Sequence, residues 1–171
     1  GTTQFAGIVG GTNALGAIGI TGNVDLDAAI TDASSLSVSG TSNLGANVTT
    51  TGAQSYSGTT TLSGGDRTLQ GSTITLAAVT GGSNSLTITG NLDLDGAISG
   101  VDDLSVSGTS NIGADVTTTG TQTYSGTTTL SASSTLEGPT VNLNAVTGGS
   151  NALTVTGNLD LDGAISGVTN L

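Results

Sequence analysis

Four polar or small residues, Asn91, Asp93, Asp95 and Gly96, match the opening of a calcium-binding EF-hand loop. In such a loop, alternate oxygen-bearing side chains coordinate Ca²⁺ and a glycine makes the sharp turn. The segment recurs later in the chain, so four aspartates are candidate metal ligands: Asp93, Asp95, Asp160 and Asp162. Two features oppose an EF hand: the flanks are rich in Thr and Gly, and Thr169 stands where the later copy needs its final acid.

The same segment has a simpler interpretation as a strand. Leu92 and Leu94 alternate with Asp93 and Asp95, so the leucines would face a core and the acids would face solvent. We therefore expect no cofactor. Calcium bound less regularly, by outward Asp side chains between successive coils of the chain, remains an alternative because carboxylates suit Ca²⁺ without prescribing the loop.

Threonines separated by one residue form a second candidate surface. They occur at Thr49–Thr51, Thr59–Thr61, Thr117–Thr119 and Thr127–Thr129, and as the pairs Thr87/Thr89 and Thr154/Thr156. A flat Thr-x-Thr grid on an outer face would suit a binding module for ice or a glycan. Threonine is also a good strand former that keeps an exposed face soluble. Because the pairs recur once per long repeat, a continuous grid is not expected.

Composition excludes most catalytic and nucleic-acid chemistry. The chain has no His, Cys or Lys, so the usual bases, thiol nucleophiles and amine chemistry are missing. Acid pairs such as Asp102/Asp103 have no basic or aromatic partner beyond Arg67, and we expect no enzyme. A net charge of −11 disfavours nucleic acid and anionic lipid. No apolar run approaches the roughly 18 residues of a membrane helix.

A repeat of about 67 residues organises the chain. VTGGSN begins at Val79 and again at Val146, and TGNLDLDGAISGV begins at Thr89 and again at Thr156. The approximate units are residues 11–81, 82–148 and 149–171, the last one partial. Since neither end carries a polar cap, residues 1–171 are expected to be one segment of a longer array.

Alternation of residue types within the repeat predicts the fold. Between residues 86 and 136 nearly every large aliphatic residue has an even number, and only Val101 breaks the pattern. A period of two over such a length indicates strands with one face always buried. Glycines at inward positions, such as Gly90 and Gly100, would allow bends. We therefore predict an all-β solenoid of about eight coils, each of roughly 18–22 residues, with about three coils per repeat; a β-sandwich is the alternative.

Two copies of one segment, TTTGAQSYSGTTTL from Thr49 and TTTGTQTYSGTTTL from Thr117, resemble repeats of filamentous-haemagglutinin-like giant exoproteins of bacteria. LTVTGNLDLDGAISGV is similar to their neighbouring segments. The resemblance implies a right-handed parallel β-helix in the shaft of a secreted, extracellular cell-surface fibre or adhesin. Its expected partners are further repeats of the same chain, or like fibres packed end to end or side by side.

Overall fold

The computed structural model describes residues 1–11 and 13–171, and these residues form seventeen β-strands and no helix. The strands are β1 (Thr2–Phe5), β2 (Leu15–Ile20), β3 (Asn23–Leu26), β4 (Ile30–Val38), β5 (Ser42–Leu44), β6 (Val48–Thr50), β7 (Gln54–Leu62), β8 (Arg67–Thr80), β9 (Leu86–Leu94), β10 (Ile98–Val101), β11 (Leu104–Val106), β12 (Ser110–Ile112), β13 (Val116–Thr118), β14 (Gln122–Leu130), β15 (Ser134–Thr147), β16 (Leu153–Leu161) and β17 (Ile165–Ser166).

All of the strand pairs are parallel, and each strand pairs with the strand one coil further along the chain. Val24 pairs with Ser42, eighteen residues later, and Val48 pairs with Leu69, twenty-one residues later. The chain thus winds as a right-handed parallel β-helix of about nine turns, which confirms the predicted solenoid with one turn more than expected. At about 4.8 Å per turn, the rod is roughly 43 Å long.

Each coil has three faces, which we name by their inward-pointing residues. Face A contains Ile18, Leu36, Gln54, Ile74, Leu92, Ser110, Thr128, Val146 and Ile165. Face B contains Val24, Ser42, Thr60, Val79, Ile98, Val116, Leu136 and Val155. Face C contains Ile30, Val48, Leu69, Ile88, Val106, Tyr124, Leu143 and Leu161. In the middle turns these residues are buried, and the apolar ones form one continuous core.

Val101, the exception in the alternation, is also fully buried. In β10 the residues Ser99 and Gly100 both face outward, so the alternation shifts by one and Val101 turns inward. Gly100 has a φ of 63°, which a glycine adopts without strain. The equivalent position of the preceding repeat is Asp32, with a φ of 56°. The break in the pattern is therefore a corner of the coil.

Glycine at inward corner positions is required by the neighbouring coil. Gly90 has a φ of 138°, and a Cβ at this position would overlap the carbonyl oxygen of Gly71 in the coil before it. Gly90 in turn accepts a hydrogen bond at its carbonyl oxygen from the backbone N–H of Gly108, at 3.0 Å. The prediction of an inward glycine was wrong for Gly100, which faces outward. At Gly90 the tight contact is between the backbones of successive coils.

Candidate functional site

The sequence repeat does not correspond to a whole number of turns. Tyr56, two residues after Gln54 on Face A, stacks between Val38 and Leu76. Its equivalent one repeat later, Tyr124, lies on Face C. Between the two tyrosines the chain passes through eleven faces, which make three and two-thirds turns. Successive repeats are thus rotated by one third of a turn about the rod axis, and the expectation of about three coils per repeat is corrected accordingly.

Outward-facing columns show the same rotation. One column on Face B consists of Asp25, Asn43, Thr61, Thr80 and Ser99. The equivalent column on Face A consists of Asp93, Asn111, Thr129, Thr147 and Ser166. In both columns the asparagine Nδ2 donates to the aspartate Oδ1 of the preceding coil, at 2.7 Å and 2.8 Å respectively. Every surface feature of the repeat is thereby placed on a different side of the rod in the next repeat.

The four candidate metal ligands are not brought together. Asp93 faces outward on Face A and its carboxylate accepts the hydrogen bond from Asn111, while Asp95 is exposed at the corner after β9. Asp160 lies on Face C beside Asn142, and Asp162 follows at the next corner. The segment that resembles the opening of an EF-hand loop is the end of an extended strand followed by a corner of the coil. Across the part of the chain that the structure describes, no three His, Cys, Asp or Glu side chains cluster as a metal site.

The threonine pairs also lie on different faces. Thr59 and Thr61 belong to β7 on Face B, whereas their equivalents Thr127 and Thr129 belong to β14 on Face A. Along the axis the residue that pairs with Thr59 is Ala78. Thr127 is likewise followed by an alanine, Ala145. A Thr-x-Thr row is thus interrupted after one coil, and the pairs do not build a flat grid.

Two shallow grooves occur at equivalent positions of the repeat. The first, between Faces C and A, has a volume of about 570 Å³ and is lined by Thr50, Gln70 and Gly71 together with neighbouring residues. The second, between Faces B and C, has a volume of about 400 Å³, and Glu137 takes the place of Gln70. Threonine and glycine dominate both linings. Each groove has one acidic residue in its lining, Asp32 in the first and Glu137 in the second.

Arg67, the one basic residue, does not provide a basic surface. Its Nε donates to the carbonyl oxygens of Leu44 and Ser63, at 3.0 Å and 3.1 Å, and its Nη2 also donates to Ser63. Its Nη1 donates to the carbonyl oxygen of Asp66 at 3.0 Å. The guanidinium group thus holds the corner loop between β7 and β8.

Beneath the first groove lies a buried polar network that the sequence analysis missed. The Nε2 of Gln54 donates to the carbonyl oxygen of Gln70 at 2.7 Å, and also contacts the Thr50 Oγ1 at 3.3 Å. The Tyr56 hydroxyl donates to the Gln54 Oε1 at 2.8 Å. Thr50 Oγ1 donates to the carbonyl oxygen of Gly52 at 2.8 Å. Gln54 is fully buried, so its side chain makes all of its hydrogen bonds inside the rod.

The same network recurs one repeat later with nearly the same distances. Gln122 Nε2 donates to the carbonyl oxygen of Glu137 at 2.8 Å and contacts Thr118 Oγ1 at 3.3 Å. Tyr124 donates to Gln122 Oε1 at 3.0 Å. The alternation of the sequence contained a signal for both networks, because residues 54 and 122 have the inward, even parity of the aliphatic residues. A polar side chain at such a position has to find partners inside the core.

Burial gives these tyrosines a pH-dependent role in stability. Desolvation raises the pKa values of Tyr56 and Tyr124 well above the ordinary value of 10.0. The folded chain therefore keeps both hydroxyls protonated while the unfolded chain ionises them above about pH 10. Their stabilising contribution is complete below that pH and is lost as the pH rises further.

We expect the thermal unfolding midpoint, followed by circular dichroism, to fall progressively above about pH 10. In the double variant Tyr56→Phe/Tyr124→Phe this part of the decrease should be absent. Phenolate absorbance is a direct second measurement, because the chain has two Tyr and no Trp. Ionisation of both tyrosines with an ordinary pKa in the folded chain would contradict the buried placement.

The fold and its surface define a repeat protein of the parallel β-solenoid class. Comparison with protein families, with curated proteins and with solved structures finds no match to this chain. Among the described residues, none forms a helix of the length and apolarity that crossing a membrane requires.

Proposed function

We propose that this chain is part of the structural shaft of a secreted bacterial cell-surface fibre or adhesin, and that it holds a distal part of the fibre away from the cell. The observation that carries the proposal is the rotation of each repeat by one third of a turn. A shaft needs a continuous core along its axis and has no need for one specialised side. Here the core is continuous, and each outward column moves to another face in the next repeat.

Backbone hydrogen bonds between coils support a mechanical role. In the middle turns each strand is bonded to the coil before it and the coil after it, as β12 is to β9 and β14. Such stacking satisfies the backbone along the whole rod and leaves few openings for proteases. Acidic side chains distributed over the surface, with a net charge of −11, favour solubility. This proposal assigns the chain no catalytic role.

The proposed partners are further repeats of the same chain, or like fibres. Large apolar side chains are exposed at the two end turns, including Leu15 at 37% and Leu159 at 39%. An additional coil with the same three faces would cover them. No observation favours the alternative of a threonine-rich binding face for ice or a glycan, because the threonine rows are short and change sides.

Immunoelectron microscopy of intact cells that produce the protein tests the proposal. Antibodies raised against the folded chain are expected to label thin filaments that project from unpermeabilised cells. A cytoplasmic protein of the same cells serves as the control and should be labelled only after permeabilisation. If the chain were also labelled only after permeabilisation, the surface-fibre proposal would be wrong.

A further inference from the structure

The apolar ladders of this rod do not by themselves define which coil stacks on which. All three faces present Val, Ile or Leu at most inward positions, and successive inward residues are two residues apart. A coil that slips by two residues, or by one whole face, would still place mostly apolar side chains on apolar side chains. Hydrophobic burial is non-directional, so it discriminates weakly between these registers.

The two buried networks do discriminate between registers. We propose that Thr50–Gln54–Tyr56 and Thr118–Gln122–Tyr124 are register keys, each of which selects the coil that stacks next. The inference concerns how the chain folds, and it stands whether or not the chain is part of a surface fibre.

The glutamine of each key donates a hydrogen bond to one carbonyl oxygen of the next coil. Gln54 donates at 3.3 Å to the carbonyl oxygen of Val48 in its own coil and at 2.7 Å to that of Gln70 in the next coil. Gln70 comes directly before an irregularity at which Gly71 and Ser72 together oppose Gly90. Gln122 makes the equivalent contacts with Val116 and Glu137. The register in which these bonds form is the native one.

The residue of the next coil that lies against the threonine of each key also has to be a glycine. A Cβ at Gly71 would lie 2.8 Å from the Thr50 Oγ1 and 2.7 Å from the carbonyl oxygen of Gly52. A Cβ at Gly138 would lie 2.6 Å from the Thr118 Oγ1. A slipped coil would place a side chain there and leave the glutamine amide unpaired. Each buried polar group without a partner lowers the population of such a register by roughly tenfold.

Other buried polar groups of the core do not have this selectivity. The hydroxyls of Ser42 and Ser110 are buried and make no hydrogen bond within the described part of the chain. They occupy inward positions on Faces B and A, whereas Gln54 lies on Face A and Gln122 on Face C. Since they lose no partner when the register changes, they provide a matched control.

Disulfide trapping in the full chain measures the register directly, because the natural sequence contains no cysteine. Ser55 and Thr75 are partners in adjacent coils, so Ser55→Cys/Thr75→Cys reports the native register. Ser55→Cys/Thr73→Cys reports a slip of two residues. Each pair is refolded under reducing conditions and then oxidised, and the cross-linked fraction is determined by mass spectrometry.

In the native background we expect the first pair to cross-link almost completely and the second pair weakly. Adding Gln54→Leu/Gln122→Leu should lower the ratio of native to slipped cross-links by about tenfold. Adding Ser42→Ala/Ser110→Ala should leave that ratio unchanged. An unchanged ratio in a folded leucine variant would overturn the proposal, as would an equal fall in the alanine control.

A milder substitution covers the case in which the leucine variant does not fold. Gln54→Met/Gln122→Met keeps the length of each side chain and removes the amide that donates to the next coil. We again expect the ratio of native to slipped cross-links to fall by about tenfold. A ratio equal to that of the native background would overturn the proposal.

Discussion

Alanine in place of Gly90 is expected to lower the free energy of unfolding by about 3 kcal/mol or more, since overpacking and an unfavourable φ add together. The φ of 138° is one that side-chain-bearing residues rarely adopt. The new methyl group would overlap the carbonyl oxygen of Gly71. Because that oxygen belongs to the neighbouring coil, relief of the clash requires two coils to separate. Urea unfolding followed by circular dichroism gives the change in free energy.

Gly19→Ala is the matched control for this substitution. Gly19 also lies in a strand of the rod, but a Cβ built on it meets no atom within 4 Å. We expect its unfolding free energy to change by no more than about 0.5 kcal/mol. Equal destabilisation by the two alanines would mean that strand propensity, and not the contact between coils, accounts for the glycine at position 90.

Truncation of Leu94 should produce a comparable loss. Leu94 is fully buried on Face A, stacked between Leu76 and Ile112. Leu94→Ala removes buried methyl groups and leaves a cavity in the middle of the core, which typically lowers the free energy of unfolding by about 2–5 kcal/mol. The expected result is a clear decrease in the urea midpoint of the whole chain.

Leu161 supplies an internal control, because it is the equivalent residue of the next repeat and has the same neighbours in sequence. It lies on the last full turn, pairs with Leu143 on one side and is 37% exposed. We expect Leu161→Ala to cost less than about 1 kcal/mol. If both truncations cost the same, the difference in stacking between the two copies would have no energetic consequence.

The rotation of successive repeats determines how the surface of a long array would look. Because each repeat advances eleven faces, three repeats are needed before an equivalent residue returns to its original side of the rod. Irregular features, such as the corner after Gln70 and the equivalent corner after Glu137, are then distributed around the axis. These irregular corners do not accumulate along one side of the rod, where they would curve it. This is consistent with a straight shaft.

The local sequence was sufficient to predict the solenoid and, between residues 86 and 136, the buried side of most strands. Alternation of Leu92 and Leu94 with Asp93 and Asp95 determines which side chains are buried, because side chains of a strand point to opposite faces. Glycine at position 90 marks a bend for an equally local reason, its freedom of φ. The same argument, applied to residues 54 and 122, could have identified the buried glutamines.

Only the tertiary structure decided which coil lies beside which. The length of a coil varies from seventeen to twenty-one residues, according to the loops at its corners. Those small differences accumulate over a repeat, so no local pattern reveals that Tyr56 and Tyr124 end on different faces. The partners of Gln54 and the contact beneath Gly90 likewise come from the next coil. Strand identity depends on neighbouring residues in the chain, whereas the register of stacking depends on contacts between residues about nineteen positions apart.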